Sequence, residues 1–208
     1  MEKLFQEPPR LYKFDVKYYF NTFLVCSDIF SEAINTNDYS DRRHVEEHLM
    51  YGEYPDWITF PVVCHQLQGR YLRDIIARGW SHDPFIISDR IVKLFEENHV
   101  TGWKTYPVEI YDKKGNLISG YQGFSVTGRG GSMKENKWRR SDWDGSDIFI
   151  IGNIGHYVTE RVKILLEENK IKSAEFFPLS IGILYCPVKN HRSFLIRKDW
   201  RLGFFPEK

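Results

Sequence analysis

The chain reads as an α+β protein, mostly antiparallel sheet with short helices, and it contains a duplicated helix–strand unit. Three observations predict this class. The segment Ser88 to Ile110, SDRIVKLFEENHVTGWKTYPVEI, recurs without a gap as Thr159 to Ile181, TERVKILLEENKIKSAEFFPLSI. Runs rich in β-branched and aromatic residues outnumber runs with helical spacing. Hydrophobic residues fill 42% of the 208 positions and aromatics 16%, which supplies a core and excludes a disordered chain.

The elements follow in order. Leu11 to Cys26 is crowded with Tyr12, Phe14, Tyr18, Tyr19, Phe20 and Phe23 and predicts one or two strands. Ser27 to Ala33 predicts a short helix, Asn35 to Arg43 a polar loop, and His44 to Tyr51 a weak helix. Trp57 to Cys64 carries Ile58, Phe60, Val62 and Val63 and predicts a strand interrupted by Pro61. Tyr71 to Trp80 fits a helix, through the spacing of Leu72, Ile75 and Ile76, or an extended apolar segment.

In the repeated unit, Ser88 and Thr159 stand where an N-cap hydroxyl would accept a backbone N–H. Asp89 and Glu160 then fall in the first turn, where the helix dipole favours negative charge. Ile91, Leu94 and Phe95, and likewise Val162, Leu165 and Leu166, follow i, i+3, i+4 spacing and predict a buried stripe. Arg90, Lys93 and Glu97 are left to face water. Asn98 and Asn169 close each run as candidates for a left-handed helix end. The residues that follow, Val100 to Val108 and Ile171 to Leu179, predict a strand. Pro107 and Pro178 place those strands at an end, a bulge or an edge. Two copies are too few for a solenoid, so the duplication belongs inside a compact fold.

Tyr111-Asp112-Lys113-Lys114-Gly115-Asn116 is a turn, which implies an antiparallel hairpin from about Trp103 to Thr127. Gly128 to Asp147, GRGGSMKENKWRRSDWDGSD, is a long polar stretch of the kind that binds something or moves. Asp147 to Ile151 predicts a short strand, and Ile181 to Val188 with Ser193 to Ile196 a further pair. The chain divides into an aromatic-rich region, 1–80, packed on the rest, and a region 81–208 that holds the repeat.

Balanced charge, 29 basic against 28 acidic residues, gives no electrostatic case for nucleic acid or an anionic membrane. Cys26, Cys64 and Cys186 have neither metal-site nor redox spacing, and their odd number argues against a disulfide framework. Together with a start, MEKLFQEPPR, that lacks the apolar core of a signal peptide, this sets a cytoplasmic location as the expectation.

Few residues propose chemistry. His44-Val45-Glu46-Glu47-His48 matches H-x-x-E-H; on a helix His44 and His48 would share a face and could bind zinc, with Glu47 as general base. The pattern is short, its surroundings are polar loop, and no third ligand is in view, so a solvated helix face is the expected role. Gly128-Arg129-Gly130-Gly131-Ser132 lacks both the G-K-[ST] ending of a P-loop and G-x-G-x-x-G spacing, and reads as a flexible turn. Lys137-Trp138-Arg139-Arg140 with Trp143 is basic and aromatic, but Asp142, Asp144 and Asp147 cancel the charge. Trp138, Arg139, Arg140 and Trp143 are therefore candidate partner-binding residues, since tryptophan and arginine anchor protein interfaces. The alternative is that the tryptophans tuck onto the core. If they bind, truncating Trp138 and Arg140 should abolish the contact and move the melting temperature by only a few degrees.

FIISDRIVKLFEENHVTGWKTYPVEIYDKKGNLISGYQGFSV and SDIFIIGNIGHYVTERVKILLEENKIKSAEFFPLSI resemble a family of bacterial immunity proteins from polymorphic-toxin and contact-dependent competition systems. The resemblance spans roughly residues 85–181 and rests on the S-[DE]-R start, the helix, and the link into a proline-bearing strand. It implies a cytoplasmic α+β protein that binds and neutralises a cognate toxin, without catalysis, cofactor or metal. It carries no catalytic residues. Two other readings stay open: a metal-dependent hydrolase using His44 and His48, and an adaptor unrelated to toxins. Metal analysis separates the first of these. Protein purified without added metal should hold far less than one zinc per chain, whereas near-stoichiometric zinc lost on His44→Ala would establish the metal site.

Overall fold

The computed structural model describes residues 9–27, 47–79, 84–132, 138–152 and 155–179. Its elements are β1 (Leu11–Val16), β2 (Leu24–Ser27), β3 (Val62–Gln68), β4 (Ile75–Ala77), β5 (Pro84–Ser88), α1 (Asp89–Glu97), β6 (Trp103–Tyr106) and β7 (Val108–Tyr111). They continue with β8 (Leu117–Ile118), β9 (Tyr121–Val126), β10 (Gly128–Arg129), β11 (Ile148–Ile150), β12 (His156–Thr159), α2 (Glu160–Glu168) and β13 (Ala174–Pro178). Residues 47–51 add a short helical stretch. The class is α+β with mostly antiparallel sheets.

The three sheets run β10-β11-β12-β1-β13, β4-β5-β9-β6 and β2-β3-β7-β8. The first two are built alike. Each has a short strand (β4 or β11) paired antiparallel to a second (β5 or β12), then a helix, then a strand (β6 or β13). In each, one more strand fills the space between the second and the last. The repeat therefore starts earlier than sequence comparison shows, at Asp74-Ile75-Ile76 and Asp147-Ile148-Phe149. Only one of these filling strands crosses between the copies. β1, which enters before the first copy, lies between β12 and β13 of the second; β9, between the copies in the chain, lies between β5 and β6 of the first. Their registers agree: Leu11 faces Thr159 and Tyr121 faces Ser88, while Phe14 and Val16 face Phe176 and Ala174 as Phe124 and Val126 face Thr105 and Trp103.

The two copies also clasp each other through their matching S/T-[DE]-R residues. The Ser88 hydroxyl donates to Asp74 Oδ1 at 3.0 Å, and Arg90 pairs with Asp74 Oδ2 at 3.3 Å. Arg90 then donates to the carbonyl of Asn169, at the end of α2. In the second copy the Thr159 hydroxyl donates to Asp147 at 3.1 Å and Arg161 pairs with Asp147. Arg161 donates in turn to the carbonyls of Asn98, at 2.8 Å, and His99, at 3.3 Å, at the end of α1. Neither helix has a basic residue in its own last turn, so each receives from the other copy the cation that its negative end attracts.

This arrangement corrects two expectations. Ser88 and Thr159 sit at the N-cap positions but make no side-chain cap bond, because their hydroxyls donate to the aspartates. The helix-start N–H groups of Asp89 and Glu160 go instead to the carbonyls of Gly120 and Arg10, just ahead of the filling strands, at 2.9 Å each. Asn98 and Asn169 do not adopt the left-handed conformation; His99 (φ 49°) and Lys170 (φ 58°) do. The asparagines use their side-chain amides on Leu94 and Leu165, at 2.8 and 2.9 Å.

One core lies between the two similar sheets. It joins Phe14, Val16, Ile75, Ile87, Ile91, Phe95, Phe124, Val126, Ile148, Val158, Val162 and Leu166. Ile91 and Phe95, like Val162 and Leu166, are fully buried, while Leu94 and Leu165 pack at the margin. Strand alternation points Ile76 and Ile86 to the far side of the first sheet, where the β2-β3-β7-β8 sheet covers them with Phe23, Val25, Val62, Cys64 and Ile110.

Other expectations shift. Tyr71 to Trp80 is extended where described, with β4 inside it. The strand expected at 57–64 begins only after Pro61 and runs on to Gln68. The 103–127 hairpin forms, but Pro107 ends β6 and sends the chain into a different sheet, so β6 pairs with β9 and β7 with β8. The helix expected at 27–33, most of the loop at 35–43 and the strand pair beyond Ile181 lie outside the described residues. Strands from residues 1–80 are woven into all three sheets.

Two predictions follow from this packing. Phe95→Ala and Leu166→Ala should each cost about 2–5 kcal/mol, the range for buried large-to-small changes, and Lys93→Ala under about 0.5 kcal/mol. Urea melts in which Leu166→Ala matches wild type would show that the helices do not pack alike. The second concerns Asp147. Burial pushes its carboxyl up, but the Arg161 hydrogen bond, the Thr101 N–H and the charge on Arg161 outweigh this and hold it below the usual carboxylate range. A depressed native pKa stabilises above the unfolded value, and that stability is lost as pH falls through the native one. Asp147→Asn should therefore cost roughly 1–3 kcal/mol near neutrality and flatten the acid-side decline. Equal melts of mutant and wild type across the acid range would contradict the clasp.

Candidate functional site

The sequence singles out Trp138, Arg139, Arg140 and Trp143, and the structure brings these four together beside β11. The outer face of the second sheet exposes Phe149 and Tyr157, the counterparts of Ile76 and Ile86, and these also need cover. The polar stretch supplies it. Trp138 stacks on Phe149 with ring centroids 6.4 Å apart, and Trp143 meets the same ring at 5.4 Å. Both indoles join Leu11, Phe149, Ile151 and Tyr157 in a third apolar cluster. Their N–H groups donate to backbone carbonyls, Trp138 to Gly130 at 2.6 Å and Trp143 to Ser146 at 3.0 Å. Arg140 lies over the Trp143 ring at 5.7 Å and donates to the carbonyl of Pro9. Arg139 is the exposed member of the set.

The acids around the tryptophans are engaged as well. Asp144 accepts the N–H groups of Arg129, at 2.7 Å, and Ser146, at 2.8 Å. These bonds outweigh the desolvation that would raise its pKa and hold the carboxyl low. Asp147 belongs to the clasp.

The glycine run is no flexible turn. Gly128 and Arg129 form β10, parallel to β11, and a Cβ on Gly128 would stand 2.1 Å from the carbonyl oxygen of Ile148. Only glycine permits that approach.

His48 is described and His44 is not. Glu47, His48, Tyr51, Glu53 and Arg129 line a cleft of about 340 Å³. Glu53 stands between His48 Nδ1, at 3.6 Å, and Arg129 Nη2, at 3.7 Å. The Arg129 guanidinium lies over the Tyr51 ring at 4.9 Å and donates to the Tyr51 carbonyl at 3.0 Å. The Tyr51 hydroxyl donates to Gly152 at 3.1 Å; burial, with Glu47 and Glu53 nearby and Arg129 opposing, raises its pKa. Among the described residues no group of three His, Cys, Asp or Glu side chains is disposed to hold a metal ion. Sequence reasoning named His48 and Glu47 but not Tyr51, Glu53 or Arg129, which only the packing of β10 against the 47–53 segment brings together. Also among the described residues, no helix is long and apolar enough to cross a membrane. No protein-family model matches the chain, and no curated protein shows significant similarity to it.

The packing replaces one expectation. Trp138→Ala should lower stability by roughly 1–3 kcal/mol, below the range for a fully buried aromatic because the indole is only half-buried. A Trp138→Ala melt within a degree of wild type would show that the indole does not hold the fold.

Proposed function

We propose that the protein is a non-catalytic immunity protein that binds and neutralises a cognate toxin domain in a one-to-one complex. The observation that carries this reading is the use made of the S/T-[DE]-R residues. The resemblance to immunity proteins rests on them, and in both copies they serve cohesion, through Asp74 with Arg90 and Asp147 with Arg161. A chain whose recurring charged motif builds a rigid scaffold is suited to presenting surface, and immunity by occupation needs an interface of about 1,200–2,000 Å² with a few strong anchors. In the 138–143 segment the indoles face inward, so Arg139 and the outer rims of Trp138, Arg140 and Trp143 would make any contact there. A cytoplasmic site of action and the lack of any cofactor belong to the same proposal.

A toxin-bearing gene immediately upstream is expected, and titration against the toxin domain of such a neighbouring gene tests the proposal. Protection should rise linearly and saturate at one immunity chain per toxin, with the two copurifying. Protection complete at a small fraction of the toxin concentration would mean turnover and favour an enzyme. No protection and no complex would overturn the reading.

A further inference from the structure

Away from the tryptophan cluster, three stretches of chain, 17–22, 69–73 and 172–173, are fastened into one surface. The Asn21 carbonyl accepts the N–H groups of Arg70 and Tyr71 at 2.9 and 3.0 Å, and the Phe23 N–H donates to the Tyr71 carbonyl at 3.1 Å. The Lys17 N–H reaches Ser173 at 2.8 Å, and the Tyr19 hydroxyl donates to the Lys172 carbonyl at 2.9 Å. Thr22 closes the turn by donating its hydroxyl to the Tyr19 carbonyl at 2.8 Å and accepting the Tyr19 N–H at 2.7 Å. Gly69, at φ +77°, allows the two loops to meet: a Cβ there would lie 1.9 Å from the Thr22 carbonyl oxygen.

This fastened surface displays large apolar side chains. Phe20 is 89% exposed, Tyr71 57%, Leu72 41% and Tyr19 38%. Cations frame them. Lys17 and Arg73 sit 5.5 and 5.1 Å from the Tyr19 ring centroid, and Arg70 and Lys172 are exposed nearby. No aspartate or glutamate occurs in residues 16–24, 62–73 or 169–173; of the acids that flank them, Asp15 pairs with Lys13 and Asp74 with Arg90, while Glu168 and Glu175 stand beyond the ends of the last stretch. In a chain of net charge +1, such local separation of charge is informative. Exposed aromatics at the centre, arginines at the rim and a backbone already ordered are what a protein-binding hot spot requires.

We infer that the Tyr19-Phe20-Tyr71-Leu72 surface, ringed by Lys17, Arg70, Arg73 and Lys172, docks an acidic face of a protein partner. The inference rests on the immunity reading and names the surface on which the toxin would sit. A protein is favoured over nucleic acid because the apolar residues form the centre and include an aliphatic side chain, whereas single-stranded nucleic acid is held by a cationic groove that tracks its backbone.

Two probes test it: a labelled random copolymer of glutamate and tyrosine, and the toxin domain that the immunity reading expects from the neighbouring gene. The variants are Phe20→Ser with Tyr71→Ser, Arg70→Glu, and Lys93→Glu as a control on the exposed face of α1. All change exposed side chains, so melting temperatures should stay near wild type. Wild type should bind the copolymer in a salt-sensitive manner, and the Phe20/Tyr71 and Arg70 variants should bind at least about tenfold more weakly, as for loss of a hot-spot residue. No binding, or equal binding by the variants, overturns the proposal. So does tighter binding of oligo-dT through the same residues, which would make this a nucleic-acid surface. With the toxin, loss of neutralisation in these variants but not in Lys93→Glu supports the assignment. Full neutralisation by the variants overturns the assignment and leaves the immunity reading standing. Wild-type protein that binds the copolymer through these residues but neutralises nothing overturns the immunity reading alone.

Discussion

The insertion of β1 into the sheet of the second copy is the constraint on which the rest of the structure depends. β1 lies between β12 and β13, in the copy from which the whole first copy separates it along the chain, whereas β9 lies between β5 and β6 of the copy it follows. Such a strand pairs along both edges, so withdrawing it would leave two rows of backbone groups without partners. The Asp74–Arg90 and Asp147–Arg161 clasps act at the same junction, each arginine reaching the helix end of the opposite copy. The segment that leads into the first copy is thus held in the sheet of the second, and both clasps join the two copies. One shared core, with Phe14 and Phe124 at matching positions, lies between the two sheets.

Each similar sheet has an inner face in that core and an outer face that must be covered, and the chain covers the two differently. Over Ile76 and Ile86 it lays a third sheet. Over Phe149 and Tyr157 it lays Trp138 and Trp143. The tryptophans of an otherwise polar segment are thus the counterpart of an entire sheet. Their cation partner, Arg140, and the caps formed by Asp144 secure the cover. Duplication made the frame, and divergence of the outer layers left distinct surfaces for other uses.

The repeat, its helices and its strands were legible because periodicity and punctuation are local properties: Ile91 and Phe95 are as buried as their spacing requires. Pro107 was read as a strand end, but that it also divides a hairpin between two sheets depends on what awaits on either side. The insertion of β1 was not legible, since LYKFDV and YQGFSV share only a phenylalanine and a valine in register. Ser88 and Thr159 look like helix caps at short range, and the aspartates that capture them come from a strand start in the same copy. Trp138 and Trp143 were visible as anchors, but whether they face a partner or the core depended on the bare outer face of β11 and β12. The Tyr19-Phe20-Tyr71 surface escaped notice because 17–22 and 69–73 are far apart in sequence; the first alone resembles a strand, and the second runs into a segment that fits a helix or an extended apolar run.

A rigid, interlocked frame that presents preordered loops unites the fold with the proposed binding role. Native-state hydrogen exchange on β1 and β9 tests that frame most directly. The account predicts that amides of Phe14 and Val16 exchange only through global unfolding, with the same free energy as those of Phe124 and Val126, within the roughly 5–15 kcal/mol expected of a domain. If β1 amides exchange through a local opening several kcal/mol below those of β9, the strand is an appendage and the interlocked account is contradicted.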